Sequence, residues 1–210
     1  MSLNAEQLCA VLLRCCSRAK EAAEELNRLD GQLGDGDLGA TLEKCARLTE
    51  AALAPTPQDI PAVFQAASMA CARASGSSFG TLLGVALLTA AKQNSEMKTL
   101  DLQTIPSILE AVLAALMARG GASLGDKTVL DAIDALTRTL KTQPLENWPS
   151  VAPQAVAAAL ETWRQKPNKI GRARMFAERS VGLDDPGMVA FAHLVDAATG
   201  RTTHSQEVSG

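Results

Sequence analysis

Apolar residues in this chain recur every three or four positions in eight successive stretches, each ended by glycine, proline or a short polar run. That spacing lines up the apolar side chains of a stretch on one side of an α-helix, which must then be buried against neighbours. Strands are disfavoured, because tyrosine is absent, aromatic residues make up 3% of the chain and alanine and leucine abound. The expectation is an all-α domain, with residues 1–210 as one unit of a size that can bury its own core.

Leu8, Val11, Leu12, Cys15, Ala19, Ala22 and Leu26 mark a first helix that ends near Arg28. A second runs from about Gly39 to Leu53, until APTPQD breaks it, and a third is capped by Asp59 and carries Ile60, Val63, Phe64, Ala67 and Cys71. Pro61 is tolerated there, since the first turn of a helix needs no amide donor. A fourth, from about Phe79 to Lys92, is apolar nearly all round, which predicts a central core helix. Thr104 and Pro106 open a fifth, which stops at Arg119-Gly120-Gly121, and Val129, Ile133, Leu136 and Leu140 mark a sixth. Pro149 and Pro153 precede a seventh around Val156 to Trp163, and Pro186 starts an eighth after Asp185. The polar stretch from Arg164 to Asp185 exceeds the usual connection in a bundle and predicts a lid, and the tail beyond Gly200 is expected to fray.

A net charge of −3 with interspersed Lys and Arg gives no basic stripe, which argues against nucleic acid as a partner. The sequence shows no secretory leader and no uninterrupted apolar run of membrane-spanning length, so the expectation is a cytoplasmic protein without a membrane partner. Cys9, Cys15, Cys16, Cys45 and Cys71 lie within apolar helical patterns and lack zinc-ligand spacing, so they read as free, buried thiols.

The chemistry concentrates in LDGQLGDGDLG, where Asp30, Asp35 and Asp37 fall within eight residues. Three carboxylates so close repel one another and call for a cation. Magnesium suits them, being a hard ion held by a few carboxylates together with nucleotide phosphates. Gly34, Gly36 and Gly39 allow the tight turn, and the following helix offers free amides and a positive dipole end to phosphate oxygens. One of the three aspartates is expected to cap that helix. An EF-hand reading fails, because Gly39 and Ala40 occupy the next ligand position and the place of the required glycine. The turn Ala74-Ser75-Gly76-Ser77-Ser78 either presents amides to a phosphate or only reverses the chain; neither a Walker nor a Rossmann pattern is present. In Gly125-Asp126-Lys127-Thr128, Asp126 is expected to cap helix six and Lys127 to be solvated or to approach an anion. Arg172, Arg174 and Arg179 could clamp phosphate or ribose, whereas His193 and His204 carry no catalytic signature.

Read together, GDGDLG at 34–39, ASG at 74–76, ARGGASLGDKT at 118–128 and GRARMFAERSVGLDDPG at 171–187 resemble the L subunit of dihydroxyacetone kinase, in order and at compatible spacing. The resemblance implies a closed barrel of eight antiparallel helices whose rim loops hold ADP or ATP through two magnesium ions. It assigns Asp30, Asp35 and Asp37 to the metal and Leu38, Gly39, Ala40 and Thr41 to phosphate, with Ala74 and Ser75 as a second nucleotide contact. Gly120, Val129, Arg172 and the turn Asp185-Pro186-Gly187 would surround ribose and adenine, with the long loop closing over them. The family usually has a histidine where Leu38 stands, which removes a polar contact near the phosphates, and Val129 replaces a residue that is often methionine. The resemblance further implies a substrate-holding K subunit as partner and leaves room for a phosphoryl-carrier M subunit, a transcriptional regulator and a homodimer. The alternatives are a nucleotide-dependent regulatory module without efficient kinase activity, and the nucleotide domain of another kinase sharing the aspartate motif.

Overall fold

The computed structural model describes residues 1–74, 78–170 and 177–200. Its regular structure is almost wholly helical: α1 (Ala5–Glu21), α2 (Ala23–Leu33), α3 (Leu38–Ala52), α4 (Ile60–Ala74), α5 (Ser78–Gln93), α6 (Ile105–Gly120), α7 (Val129–Thr142), α8 (Trp148–Arg164) and α9 (Pro186–Thr199). Two short strands, β1 (Ser2–Leu3) and β2 (Leu100–Asp101), pair antiparallel, with Leu3 opposite Leu100. Two residues each is too short for any alternation in the sequence to reveal them.

The boundaries depart from expectation in three places. The first helix divides at Ala22, and its second part runs past Arg28 to Leu33. Leu26 and Leu33 are both buried, and that packing outweighs the cost of about 1 kcal/mol for Gly31 inside the helix. Asp30 therefore stands on a helix and not in a loop. At the other end of the chain α8 begins at Trp148, with Pro149 in its first turn and a buried Pro153 inside it. Finally, α5 is not a central helix. Only Gly80, Gly84, Ala90 and Ala91 are buried on it, while its leucines are half-buried or exposed.

The reason is that the structure has a ring and no centre. Each of α1, α3, α4, α5, α6, α7, α8 and α9 packs on the next, α9 returns to α1, and α2 continues the α1 stave against α3 and α9. These eight staves enclose an apolar cavity of about 950 Å³, lined by residues including Leu12, Cys16, Leu42, Cys71, Leu87 and Leu109. Leu83 and Leu87 of α5 face a cavity where a filled core would have covered them. Leu102–Arg119, most of it α6, is the one described helical stretch long and apolar enough to cross a bilayer on length and composition. Here Ile108, Val112 and Leu116 are buried in the core formed with α4, α5 and α7. All five cysteines are free, and burial pushes the Cys15 and Cys16 thiols up to about 11 and about 12.

In an up-and-down ring every second connection emerges at the same end. The described residues 34–37, 121–128, 165–170 and 177–185, with the end of α4 at Ala74 and the start of α5 at Ser78, therefore share one rim, and 53–59, 94–104 and 143–147 share the other. The described residues of the four sequence motifs fall on or beside the first rim.

Two contacts hold the staves that carry the aspartate turn. Gly39 meets α2 so closely that a β-carbon at position 39 would lie 1.9 Å from the Ala23 carbonyl oxygen. On the far side, Arg18 donates to His193 Nδ1 (2.9 Å). Because a guanidinium cannot accept, the ring proton sits on Nε2 and is donated to Glu25 (3.1 Å). Burial and the Arg18 charge hold the His193 pKa below 6.5, against the opposing pull of Glu25 and Asp196.

Gly39→Ala is expected to destabilise the fold by about 3 kcal/mol or more, since the overpacking exceeds the gain of about 1 kcal/mol in helix propensity; urea denaturation measures it. His193, neutral in the fold, gives stability that is present above the unfolded pKa near 6.5 and is lost as pH falls toward its depressed folded value. Between pH 6.5 and 5 the unfolding free energy of the wild type is expected to fall relative to that of His193→Asn, the difference removing contributions from other groups.

Candidate functional site

The aspartate turn is built by the end of α2 and the start of α3. Asp30, in the last turn of α2, accepts the Asp37 amide on Oδ2 (3.0 Å), which closes the turn on itself. Gly34 passes beneath that carboxylate, and a β-carbon there would lie 2.7 Å from Asp30 Oδ1. Gly36 takes a left-handed conformation (φ 76°) that glycine adopts without penalty. Asp37 occupies the N-cap position of α3, yet its side chain makes no capping hydrogen bond, so none of the three aspartates serves as the expected side-chain cap of α3. One carboxylate oxygen each from Asp30, Asp35 and Asp37 comes within 4.8 Å of the other two, Asp30 half-buried and the others exposed. These donors fit a divalent cation: hard oxygens, converging, with Asp35 and Asp37 exposed.

The first amides of α3 are divided in their use. Ala40 donates to Asn27 Oδ1 (3.1 Å) and Thr41 to the Asp37 carbonyl (2.9 Å). Those of Leu38 and Gly39 have no partner among the described residues, and they stand at the positive end of the helix dipole. The Leu38 side chain turns inward. It is 6% exposed and packs with Cys16, Ala22, Leu26 and Leu42.

Around the same rim, Ala74 ends α4, buried; Ser75 lies outside the described residues. Gly120 ends α6, and Gly121 follows it in the left-handed region (φ 65°). Helix α7 is capped by Thr128 and not by Asp126: the Thr128 hydroxyl accepts the Leu130 amide while Asp131 Oδ2 accepts that of Thr128 (2.9 Å). Val129, the first residue of α7, is buried. Asp185 caps α9 through Oδ1 and the Met188 amide (2.9 Å), and Oδ2 accepts from Asn168 Nδ2 (2.8 Å). Burial raises its pKa to about 6 against these stabilising donors. Pro186 is buried behind it, and a β-carbon on Gly187 would lie 3.3 Å from the Phe79 ring, which places the start of α9 beside the start of α5. Arg172 and Arg174 lie outside the described residues, as does His204.

Lys127 is neither solvated nor turned to an anion. It is fully buried, and its Nζ donates to the carbonyls of Arg164 (3.2 Å), Lys166 (2.8 Å) and Ser180 (2.7 Å). The sequence pointed to neither this role nor that of Asn168, which is 1% exposed and links Lys127 to Asp185. A lysine between an aspartate and a threonine, and an asparagine in a polar stretch, look alike whether buried or solvated.

Comparisons with known proteins give the chain its family and agree with its fold. The model of the DAK2 domain family matches residues 32–200, which takes in Asp35 and Asp37 and begins just after Asp30. The D-erythrulose kinase of Mycolicibacterium smegmatis is 35% identical over 181 residues, covering 82% of this chain and 31% of that protein, so the chain spans about a third of that relative. The ADP-binding subunit DhaL of PEP-dependent dihydroxyacetone kinase 1 from Listeria innocua is 30% identical, covering 86% of this chain and 88% of the subunit. Among solved structures, the dihydroxyacetone kinase of C. freundii in complex with AMP-PNP and Mg2+ superposes with a TM-score of 0.74 over 96% of this chain and 35% of that one, at 22% identity. With the family matched over most of its length, and with a relative of nearly the same extent at 30% identity, the chain belongs to the DAK2 domain family.

Proposed function

We propose that this chain is a single nucleotide-binding domain that holds ADP or ATP through two magnesium ions and delivers phosphate to dihydroxyacetone, or a related short ketose, carried on a separate K subunit. The observation that carries this reading is the convergence of three carboxylates within 4.8 Å at the start of a helix. The relatives support the nucleotide and the ketose. The Listeria protein that this chain spans almost end to end is an ADP-binding subunit, and the Mycolicibacterium relative acts on a four-carbon ketose.

In this reading Asp30, Asp35 and Asp37 hold the metal, which neutralises charge on the transferring phosphoryl group. The amides of Leu38 and Gly39 receive phosphate oxygens at the positive end of α3, and Ala40 and Thr41 shape the same turn. Ala74 and Ser75 give a second contact, while Gly120, Val129, Arg172 and Asp185-Pro186-Gly187 surround ribose and adenine. His193 is committed to Arg18 and Glu25, so the acceptor hydroxyl and its base belong to the partner. The nucleotide is either exchangeable ATP or a retained ADP recharged by a carrier-type M subunit.

A second reading, a nucleotide-dependent module reporting to a transcriptional regulator, is favoured by Leu38. Its side chain lies in the core and leaves only an amide where the family usually has an imidazole.

Titrating Mg-ADP against the wild type and Asp35→Ala is expected to show an affinity loss of about a hundredfold or more, as befits a lost ligand of a divalent ion. Equal affinities would refute the metal role. Asp59→Ala is the control: Asp59 Oδ1 accepts the Ala62 amide (2.9 Å) and caps α4, so its loss is expected to cost about 1 kcal/mol of stability and leave nucleotide affinity unchanged. Mixed with a matching K subunit, the chain is expected to phosphorylate dihydroxyacetone at an ordinary enzymatic rate. Nucleotide binding without turnover would select the regulatory reading, and fast ADP release would sink the recharged-cofactor route.

A further inference from the structure

Lys127 heads the large side chains that are completely buried, and it adopts a left-handed backbone conformation (φ 60°). Both features are unfavourable for lysine, since a buried charge loses its hydration and a positive φ crowds the β-carbon. The offset comes from three carbonyl dipoles, one of them that of Arg164 at the negative end of α8. The carboxylates of Asp184 and Asp185 add attraction that resists the lowering of the Lys127 pKa by burial.

The three carbonyls come from both ends of one segment: Arg164 and Lys166 open it, and Ser180 stands near its close. Further bonds follow the same lines. The Asn168 amide donates to Ser180 Oγ (2.8 Å), that of Gly182 to the Arg164 carbonyl (2.8 Å) and that of Lys169 to the Asp126 carbonyl (3.1 Å). Asn168 Nδ2 bridges the Lys127 carbonyl (2.9 Å) and Asp185 Oδ2 (2.8 Å), and Arg164 grips Asp184 with two nitrogens (2.9 and 3.1 Å). Apart from one 3₁₀ turn (Glu178–Ser180), the described residues of this segment have no helix or strand to order them.

We propose that Lys127 is a positioning residue for the nucleotide site: its ammonium clamps both ends of the segment between α8 and α9 and, through Asn168, presets the Asp185-Pro186-Gly187 turn before nucleotide arrives. The part concerning nucleotide rests on the reading given under Proposed function, whereas the tether does not. A preset turn removes the penalty that binding incurs when only a fraction of molecules is competent.

The test uses the full chain. Lys127→Met keeps the length of the side chain and removes its charge. Hydrogen exchange without nucleotide is expected to speed up by about tenfold or more at the amides of Asn168, Lys169, Ser180 and Gly182, with those of α4 and α5 unchanged. Mg-ADP affinity is expected to fall by about tenfold or more. In Lys127→Ala, which removes Cγ through Nζ, n-propylammonium is expected to restore both quantities and n-propanol neither, which separates a cationic clamp from the filling of space. Should the Met variant fail to fold, the Ala variant refolded in n-propylammonium carries the same comparison. Exchange as slow as in the wild type, acceleration spread evenly over all helices, or equal rescue by the alcohol would each overturn the proposal. Failure of the wild type to bind Mg-ADP overturns the nucleotide reading and with it the nucleotide arm, while the exchange arm still judges the tether.

Discussion

The Ala23 carbonyl oxygen occupies the space that a β-carbon at position 39 would need, so α2 and α3 can come together only over a glycine. That single approach sets the span between the end of one helix and the start of the next. Four residues must cross it, and the Asp30 carboxylate seals the crossing by accepting the Asp37 amide. Because Asp30 stands on α2 and Asp37 at the edge of α3, the helices hold the carboxylates together against their mutual repulsion. The same interhelical contact that the fold needs for packing thus creates the concentration of negative charge on which the site depends.

Charge is managed in opposite ways at two places on one rim. At the aspartates, like charges gather at the surface, where water and a cation can relieve them. At Lys127 a positive charge is sunk into the protein and hydrogen-bonded by neutral carbonyls. The first arrangement leaves room for a ligand and the second excludes one, and the contrast separates the part of the rim that binds from the part that holds shape.

Much of this was legible in the sequence, for reasons that can be traced to particular residues. Helical spacing located most of the staves, and Asp59 announced a real cap because the capping bond is local. The aspartates were visible as a cluster, since nothing in a loop offsets three neighbouring carboxylates. What stayed hidden depended on contacts distant in sequence. The division at Ala22 and the extension of α2 through Gly31 are decided by packing against α3 and α9. The apolar girth of α5 read as a central position, because a residue facing an internal cavity looks like one facing a filled core. Lys127 and Asn168 meet their partners 37 to 53 and 12 to 41 residues away, beyond the reach of any local pattern.

The ring also divides the molecule between two histories of change. Its staves alone join the two rims, so a connection can lengthen or shorten at 53–59 or 143–147 without moving an atom of the aspartate turn. One rim is held by chemistry and the other is open to drift. New recognition loops can be grafted onto that second rim while the first keeps the aspartate turn.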